Sequence, residues 1–416
     1  MHKDEQGHRL RGSRRFPVKE EGMRFAGIDI GAEHYLLAIV DDAGAVLQSA
    51  TKCTADAVGH ARIRELLGTG HDILVAMEAT GHYWKNLFAM LAAEGFPIAL
   101  LNPRRTSRFA EEELERTKTD AVDALNIARF AAQKRPVVTP LPNQVTEELR
   151  ELVRHRDRLV QDFGDRTRQL HRLVDLGFPE FTRHVRCLDS DLATTILHAY
   201  PTALAFHRLA PSQLARLRYG GRYVVGRELA RTLIEAARDS VGRHHGHAYR
   251  LQVEHCCEDM DVLRRRLREI EADIARTLAE HEVGMLLTTI DGIGPTTAAR
   301  IIAEAGDPAQ FTSVASLAAY VGVVPALKQS GKRQSWRAGC STIGNARLRK
   351  ALWMPTLAAV RKNIWLRAYY QRLIMRGKPP KVALIASMHK LLAAVHSVAR
   401  RRKAFVPILN TVESNA

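Results

Sequence analysis

The sequence predicts an α/β domain, a mixed sheet with helices on its faces, followed by an all-α remainder. Three observations predict it. Residues 24–101 alternate short apolar runs with turn signals and helical stretches. Residues 145–175 and 260–278 carry apolar residues at heptad-like steps. From residue 284 onward, helical segments flank a glycine turn and continue as basic and apolar helical stretches.

The α/β part starts at Arg24. The run FAGIDIGAEHYLLAIVDDAGAVLQSA reads as a strand, a polar break, a second strand, a DDAG turn and a third strand, which is an antiparallel meander. Residues 56–68 have helical character, HDILVAMEAT reads as a buried strand, and HYWKNLFAMLAAEG as a helix stopped by Gly95. FPIALLNPRR then gives a strand before a basic turn. TKTDAVDALNIARFAA closes the domain as a helix, and VVTPLPN is a linker. The expected bounds are a basic extension over 1–23 and this domain over 24–137.

The middle part is expected over 145–282. Leu149, Leu152, Leu159, Phe163, Leu170 and Leu173 fall on one seam, interrupted by Arg156 and Arg166. Met260, Leu263, Leu267, Ile270, Ile274 and Leu278 form a second, at alternating steps of three and four. Two such long helices form either a hairpin within the chain or a coiled-coil seam between chains. Residues 177–250 between them read as a small, mostly helical insertion.

The last part is expected over 284–403, with a tail over 404–416. DGIGP lies between two helical segments, a helix, tight turn, helix pattern. In helix-hairpin-helix modules the turn's N–H groups and the following helix start hold a DNA phosphate, which makes Gly292 and Gly294 candidate contacts. The plainer alternative is a helical turn in which the two glycines only permit the backbone path. Lys332, Arg333, Arg337, Arg347, Arg349 and Lys350 form a basic run suited to salt-sensitive phosphate contacts. Trp336 and Trp353 either stack on bases or sit in the core, the core being favoured for Trp353 by its apolar neighbours. The stretch RGKPPKVALIASMHKLLAAVHSVARRRK reads as a basic turn, an apolar packing helix and a basic tail.

Composition narrows the partners. In 416 residues, 62 Lys and Arg face 45 Asp and Glu, a formal charge of +17 that favours nucleic acid or an anionic membrane surface. No uninterrupted apolar run reaches about 18 residues, and Met1–Glu20 lacks the apolar stretch of a signal peptide. A cytoplasmic protein acting at the nucleoid, with no membrane partner, is the expectation. The five cysteines, Cys53, Cys187, Cys256, Cys257 and Cys340, show neither disulfide nor zinc spacing and read as ordinary thiols. His281 and the pair His244 and His245 could in principle meet a metal, but their charged helical surroundings favour the solvated reading.

The acids carry the chemistry. Asp29 sits inside the apolar strand GIDIG, where a carboxylate costs solvation free energy unless something pairs with it. Glu78 ends the buried strand in AMEATG and has the same problem. Asp120 and Asp123 are three apart, so one helix shows both on one face. If the four converge they repel one another, and oxygen-binding divalent cations such as magnesium relieve that repulsion. Two ions would serve phosphoryl transfer. Taken singly, Asp120 can be a cap, Asp123 a solvated residue and Glu78 an arginine partner. GIDIG alone also fits the first phosphate loop of a sugar kinase or actin-like ATPase, although no second glycine-rich phosphate segment follows.

With these residues in place, the chain resembles the DEDD transposases of bridge-RNA-guided insertion sequences, whose N-terminal domain is similar to the Holliday junction resolvase RuvC. The N-terminal resemblance rests on Asp29 in GIDIG, Glu78 in VAMEATGHYW, the NPRR segment, and Asp120 with Asp123 in RTKTDAVDALNIA. The C-terminal one runs from IDGIGPTTAARIIAEAGD through FTSVASLAAYVGVVPALKQSGK to STIGNARLRKAL. Together they span 24–135 and 284–400. The resemblance implies a ribonuclease H-like fold and gives Asp29, Glu78, Asp120 and Asp123 the roles of magnesium ligands and catalytic carboxylates. It places the nucleophilic serine at Ser330, whose hydroxyl would hold a cut DNA end as a phosphoserine ester. Ser335 and Ser341 lie close enough to compete, and no histidine base adjoins Ser330. Arg104, Arg105 and Lys118 join the residues expected to touch nucleic acid.

By the same resemblance, the partners are element-end and target DNA, a structured guide RNA, and further copies of the chain as a homodimer assembling into a homotetramer, with the two seams as contact surfaces. Two other readings remain open. A structure-specific nuclease would use the carboxylates without serine chemistry. A non-catalytic nucleic-acid-binding protein would use only the glycine turn and the basic run.

Overall fold

The computed structural model describes residues 22–69, 72–112, 119–141, 143–324, 328–330, 333–335 and 343–407. Within the first part, β1 (Arg24–Ile30) is apolar on both faces and so needs cover on both, which it finds at the centre of a five-stranded sheet. β2 (His34–Val40) and β3 (Val46–Thr54) extend from it as the expected antiparallel meander. In the turn between them, the Asp41 carboxylate accepts from the N–H groups of Ala43 (2.9 Å) and Ala45 (2.8 Å). Helix α1 (Ala57–Leu67), capped by Asp56, leads to β4 (Ile73–Glu78), which runs parallel to β1. Helix α2 (Trp84–Ala93) leads to β5 (Ile98–Leu101), parallel to β4. The strand order is β3-β2-β1-β4-β5.

Two helices follow, α3 (Pro103–Glu112) and α4 (Asp120–Lys134). The basic turn expected at NPRR is instead the start of α3. Pro103 takes the first helical position, where a missing N–H costs nothing, and the Asn102 side chain accepts from the Arg104 N–H at 3.0 Å.

Side-chain alternation along the strands divides the core in two. Ala26, Ile28 and Ile30 of β1, with Ile73, Val75 and Met77 of β4, pack against Ile63, Leu67, Leu87 and Leu91 of α1 and α2. Phe25, Leu74 and Ala76 point the other way and meet Ile127, Ala128 and Ala131 of α4 and Phe109 of α3. The mixed sheet with helices on both faces is as expected, and its topology fits a ribonuclease H-like fold. The linker covers part of the β5 edge: the Thr139 N–H donates to the Ile98 carbonyl at 2.7 Å, and its hydroxyl accepts from the Leu100 N–H at 2.9 Å.

The chain separates into two compact units, Met1–Pro142 and Asn143–Ala416. The second opens with α5 (Gln144–Gly177) and continues through α6 (Phe181–His184), α7 (Asp191–Ala199), α8 (Ala203–Phe206) and α9 (Pro211–Ala215). A small hairpin of β6 (Arg218–Tyr219) and β7 (Tyr223–Val224) precedes α10 (Arg227–Arg238) and the long α11 (His247–Ala279). Then come α12 (Glu282–Leu287), α13 (Pro295–Ala305) and α14 (Val314–Val321). The hairpin β8 (Lys328–Ser330) and β9 (Arg333–Ser335) leads to α15 (Ala346–Lys362), α16 (Ile364–Met375) and α17 (Pro380–Arg401).

Helices α5 and α11 lie antiparallel. Arg156 pairs with Glu271 at 2.8 Å, and Arg166 with Asp259 at 2.9 Å, one number rising as the other falls. Leu149 and Leu159 of one helix and Ile270, Ile274 and Leu278 of the other are buried in a common core. The seams therefore close on each other within the chain as a hairpin. Of the two expected arrangements, this is the hairpin within the chain. The insertion between them has its own core, in which the Phe178 ring meets those of Phe181 and Phe206 at centroid separations of 5.7 and 5.2 Å.

Helices α12 to α17 pack on the start of α5 and the end of α11. Among the described residues α17 is the one helix long and apolar enough to cross a membrane, with mean hydropathy 1.5. Its Leu391, Leu392, Val395 and Val398 are buried in this core. Trp353 packs against the same core, in line with its apolar neighbours. Cys53, Cys187, Cys256 and Cys257 are free thiols, and burial pushes the Cys257 thiol strongly upward. His281, expected in solvent, is buried: its Nδ1 accepts from the Gly284 N–H at 3.1 Å and caps α12, and burial lowers its pKa.

Candidate active site

The first unit brings four acids to one face of its sheet. Along β1 the side of the strand that faces α4 carries Phe25, Gly27 and Asp29. Along β4 the same face carries Leu74, Ala76 and then Glu78. The two strands pair in parallel up to Ile28 with Met77, so Asp29 and Glu78 stand one rung further on, at the strands' adjoining C-terminal ends. Helix α4 begins over this point. Thr119 caps it, accepting from the Val122 N–H at 3.4 Å, and Asp120 and Asp123 occupy its first turn. Acids there also suit the positive end of the helix dipole.

What lets α4 lie so close is Gly27. A Cβ at this position would stand 2.2 Å from the Ala124 carbonyl oxygen and 2.3 Å from the Ala128 nitrogen. Any larger residue would push the first turn of α4, with its two carboxylates, away from Asp29.

The electrostatics register the convergence. Burial first, and then the charges of Asp120, Asp123 and Glu78, raise the Asp29 carboxyl from 3.8 to about 6, against a smaller opposing hydrogen bond from the Ile30 N–H. Glu78 accepts a hydrogen bond from the hydroxyl of Thr106, a buried residue of α3, which fixes one of its oxygens. Four carboxylates that share one face, close enough to raise one of their number, make a hard, oxygen-only donor set, and this fits a divalent cation. Among the described residues, no three His, Cys, Asp or Glu side chains are already grouped closely enough to hold an ion.

Ser330 belongs to the second unit. It is the last residue of β8 and pairs with Arg333 of β9, while Ser335 pairs with Lys328. Lys118, Lys332, Arg337 and Ser341 lie outside the described residues. The end of α14 and the start of α15 are tied together: the Asn345 N–H donates to the Tyr320 carbonyl at 2.7 Å, and the Arg349 guanidinium donates to the Val321 carbonyl at 3.2 Å. Arg349 is thus engaged in holding the fold, whereas Arg347 is exposed. Arg104 is exposed on the first turn of α3, and Arg105 lies over the Phe130 ring, 5.2 Å from its centroid.

The two turn glycines differ. Gly292 has φ +98°, and a Cβ on it would meet that of Ala359 in α15 at 2.5 Å, so conformation and packing account for it. Gly294 caps α13 with nothing within 4 Å of an added Cβ, which leaves the helix start open. Sequence reasoning missed Gly27 and Thr106. The signals were present in a glycine two residues before Asp29 and in a threonine one turn after Pro103.

Two family profiles match the chain. One, described as DEDD transposase of IS110, covers residues 26–179; the other, described as transposase of the IS116/IS110/IS902 family, covers residues 284–371. The chain belongs to the IS110-type DEDD transposases. It is a DNA transposase or recombinase by that membership. The first matched segment contains Asp29, Glu78, Asp120 and Asp123, and the second contains Gly292, Gly294, Ser330, Arg347 and Arg349. A Streptomyces coelicolor protein assigned as the mini-circle transposase for IS117 is 27% identical over 417 residues, spanning 92% of this chain and 97% of its own. The pilin gene-inverting protein of Moraxella bovis is 24% identical over 336 residues, spanning 79% and 80%. The structure of T. thermophilus RuvC in complex with a Holliday junction substrate is 21% identical with a TM-score of 0.23, covering 28% of this chain and 99% of that one.

Proposed function

We propose that this IS110-type transposase cuts and rejoins the ends of an insertion element by metal-dependent phosphoryl transfer, with Asp29, Glu78, Asp120 and Asp123 as the ion-holding carboxylates and Ser330 as the nucleophile. The observation that supports the carboxylate half is the placement of all four acids on one sheet face, with Asp29 raised to about 6. Magnesium, two ions in number, suits an oxygen-only donor set and when bound would favour the attacking oxygen and neutralise the leaving one. The residues themselves do the positioning. Thr106 holds Glu78, and Gly27 holds α4 and its two acids against β1.

The serine half rests on family membership. The Ser330 hydroxyl gives up its proton, its oxygen bonds to phosphorus, and the bond from phosphorus to the leaving DNA oxygen breaks, that oxygen taking a proton. Attack by a hydroxyl of the new strand reverses these changes and releases the serine, so the joint forms without an outside energy source. Carboxylates and serine lie in different compact units. Assembly of homodimers into a homotetramer would let the acids of one copy serve the serine of another, through surfaces other than the α5 and α11 seams. A structured guide RNA pairing with donor and target DNA would leave sequence choice largely to the RNA, with the protein's excess of positive charge supplying backbone affinity.

Cleavage of element-end DNA, with guide RNA supplied, tests the carboxylate half. Magnesium should be required, and Asp29→Asn or Glu78→Gln should each cut the rate at least about 100-fold while leaving DNA affinity in place. Undiminished cleavage by both variants would overturn it.

A further inference from the structure

A groove of about 550 Å³ lies between α16, α17 and the chain that follows α17. It is not part of the carboxylate site, which belongs to the other unit, and it includes no residue of the Ser330 hairpin. Three aromatic rings line it, Trp365, Tyr369 and Phe405, together with four cations, Arg372, Lys390, Arg401 and Lys403. Among the described residues no carboxylate lines it.

Its walls are built by specific contacts. The Asn363 side chain caps α16 and accepts from the Trp365 N–H at 3.1 Å, fixing the start of the helix that carries both Trp365 and Tyr369. After α17 the chain turns at Arg402, which has a left-handed φ of +51°. Arg402 pairs with Asp307 at 2.6 Å, and the Phe405 N–H donates to the Thr289 hydroxyl at 2.8 Å. This brings the Phe405 ring to 5.8 Å from that of Trp365. The Lys390 ammonium lies 5.9 Å from the centroids of both Trp365 and Tyr369, and the Arg372 guanidinium 5.6 Å from Tyr369.

Trp365 and Tyr369 are half-buried, while Arg372, Lys390, Arg401 and Lys403 are exposed around them. A core position would explain an aromatic ring but not four exposed cations beside it with no carboxylate among the described residues of the lining. Half-buried aromatic rings with cations over them offer a stacking surface and a phosphate contact side by side, which matches a planar base joined to a phosphate. A duplex hides its base faces in the stack, so such a groove selects a base that is unpaired.

We propose that this groove binds an unpaired nucleotide of a nucleic-acid strand, its base against Trp365 or Tyr369 and its phosphate among Lys390, Arg372 and Arg401. The inference deepens the reading above by giving the transposase a single-strand contact. It is tested without metal or cleavage, so its failure would leave that reading untouched.

The test is fluorescence anisotropy of the full chain with labelled short oligo-dT, oligo-U and duplex DNA, in chelator. Trp365→Ala should weaken binding of the preferred single strand by about tenfold or more, and leave duplex binding unchanged. Trp365→Phe should keep most of the affinity, since a ring remains. Oligo-dU, which lacks the 5-methyl group of oligo-dT, is run beside oligo-U, and a difference between those two identifies the sugar of the strand. Lys390→Ala, which serves also if Trp365→Ala fails to fold, should weaken single-strand binding and flatten its salt dependence. Single-strand affinity unchanged in Trp365→Ala and Lys390→Ala would overturn the proposal, and so would an equal loss for duplex and single strand.

Discussion

The α-carbon of Gly27 is packed so closely under α4 that a methyl group there would come within 2.3 Å of the Ala128 backbone nitrogen. This contact sets the distance between the strand bearing Asp29 and the helix bearing Asp120 and Asp123. Gly27→Ala should lower unfolding stability by roughly 1–3 kcal/mol, the usual cost of overpacking. It should also slow cleavage by more than that loss of folded protein explains. Chemical denaturation and single-turnover cleavage on the same preparation check both.

Asp29 makes stability depend on pH in a defined direction. Its carboxyl ionises near 3.8 when unfolded and near 6 when folded. Below the lower value both states are protonated and the group is neutral to stability. As pH rises through the window, the unfolded chain releases its proton first, so the native state loses stability until about pH 6 and stays lower above it. In the metal-free protein, Asp29→Asn should therefore melt higher than wild type at pH 8, and the two should converge towards pH 4. Thermal melts in chelator give the comparison. Saturating magnesium should narrow the gap at pH 8 by neutralising the same repulsion.

Gly292 and Gly294 should separate packing from DNA contact. Gly292→Ala puts a side chain at φ +98° and against Ala359, and should cost about 1 kcal/mol or more of stability. Gly294→Ala meets open space and should leave the melting temperature nearly unchanged. If the start of α13 holds a phosphate, only the second substitution should reduce duplex affinity in a protein of normal stability. Paired melting and filter-binding measurements would show it.

Arg347 and Arg349 are two residues apart and should behave oppositely. Arg347→Ala should weaken duplex binding and lower the slope of log affinity against log salt by roughly one. Arg349→Ala removes the donor to the Val321 carbonyl and should lower stability. A salt titration of binding beside a melt of each variant distinguishes them.

The parts of the fold visible in the sequence were those set by short-range pattern. Short apolar runs between turn signals marked β1 to β5, and the DDAG turn marked the meander, because both depend on residues within a few positions. The NPRR segment was misread as a turn because α3 is short, polar and opened by a proline, so its apolar side reduces to Thr106 and Phe109. The seams on α5 and α11 were legible as apolar lines, but their closure on each other depends on pairing across more than 100 residues, as in Arg156 with Glu271. Asp29 stood out as a charge inside an apolar strand. Its approach to Asp123 did not, because that follows from sheet register and from the close contact at Gly27. The aromatic groove was hidden for the same reason, since Trp365, Lys390 and Phe405 come from two helices and a returning tail.

The most direct test of the two-part site is a denaturing gel of the transposase with magnesium, guide RNA, element-end DNA and target DNA. Wild type should give a DNA band shifted by covalently attached protein, and both Ser330→Ala and Asp29→Ala should lose it. Cleaved DNA ends without attached protein, formed equally by wild type and Ser330→Ala, would contradict the serine assignment and leave a nuclease that uses its carboxylates alone.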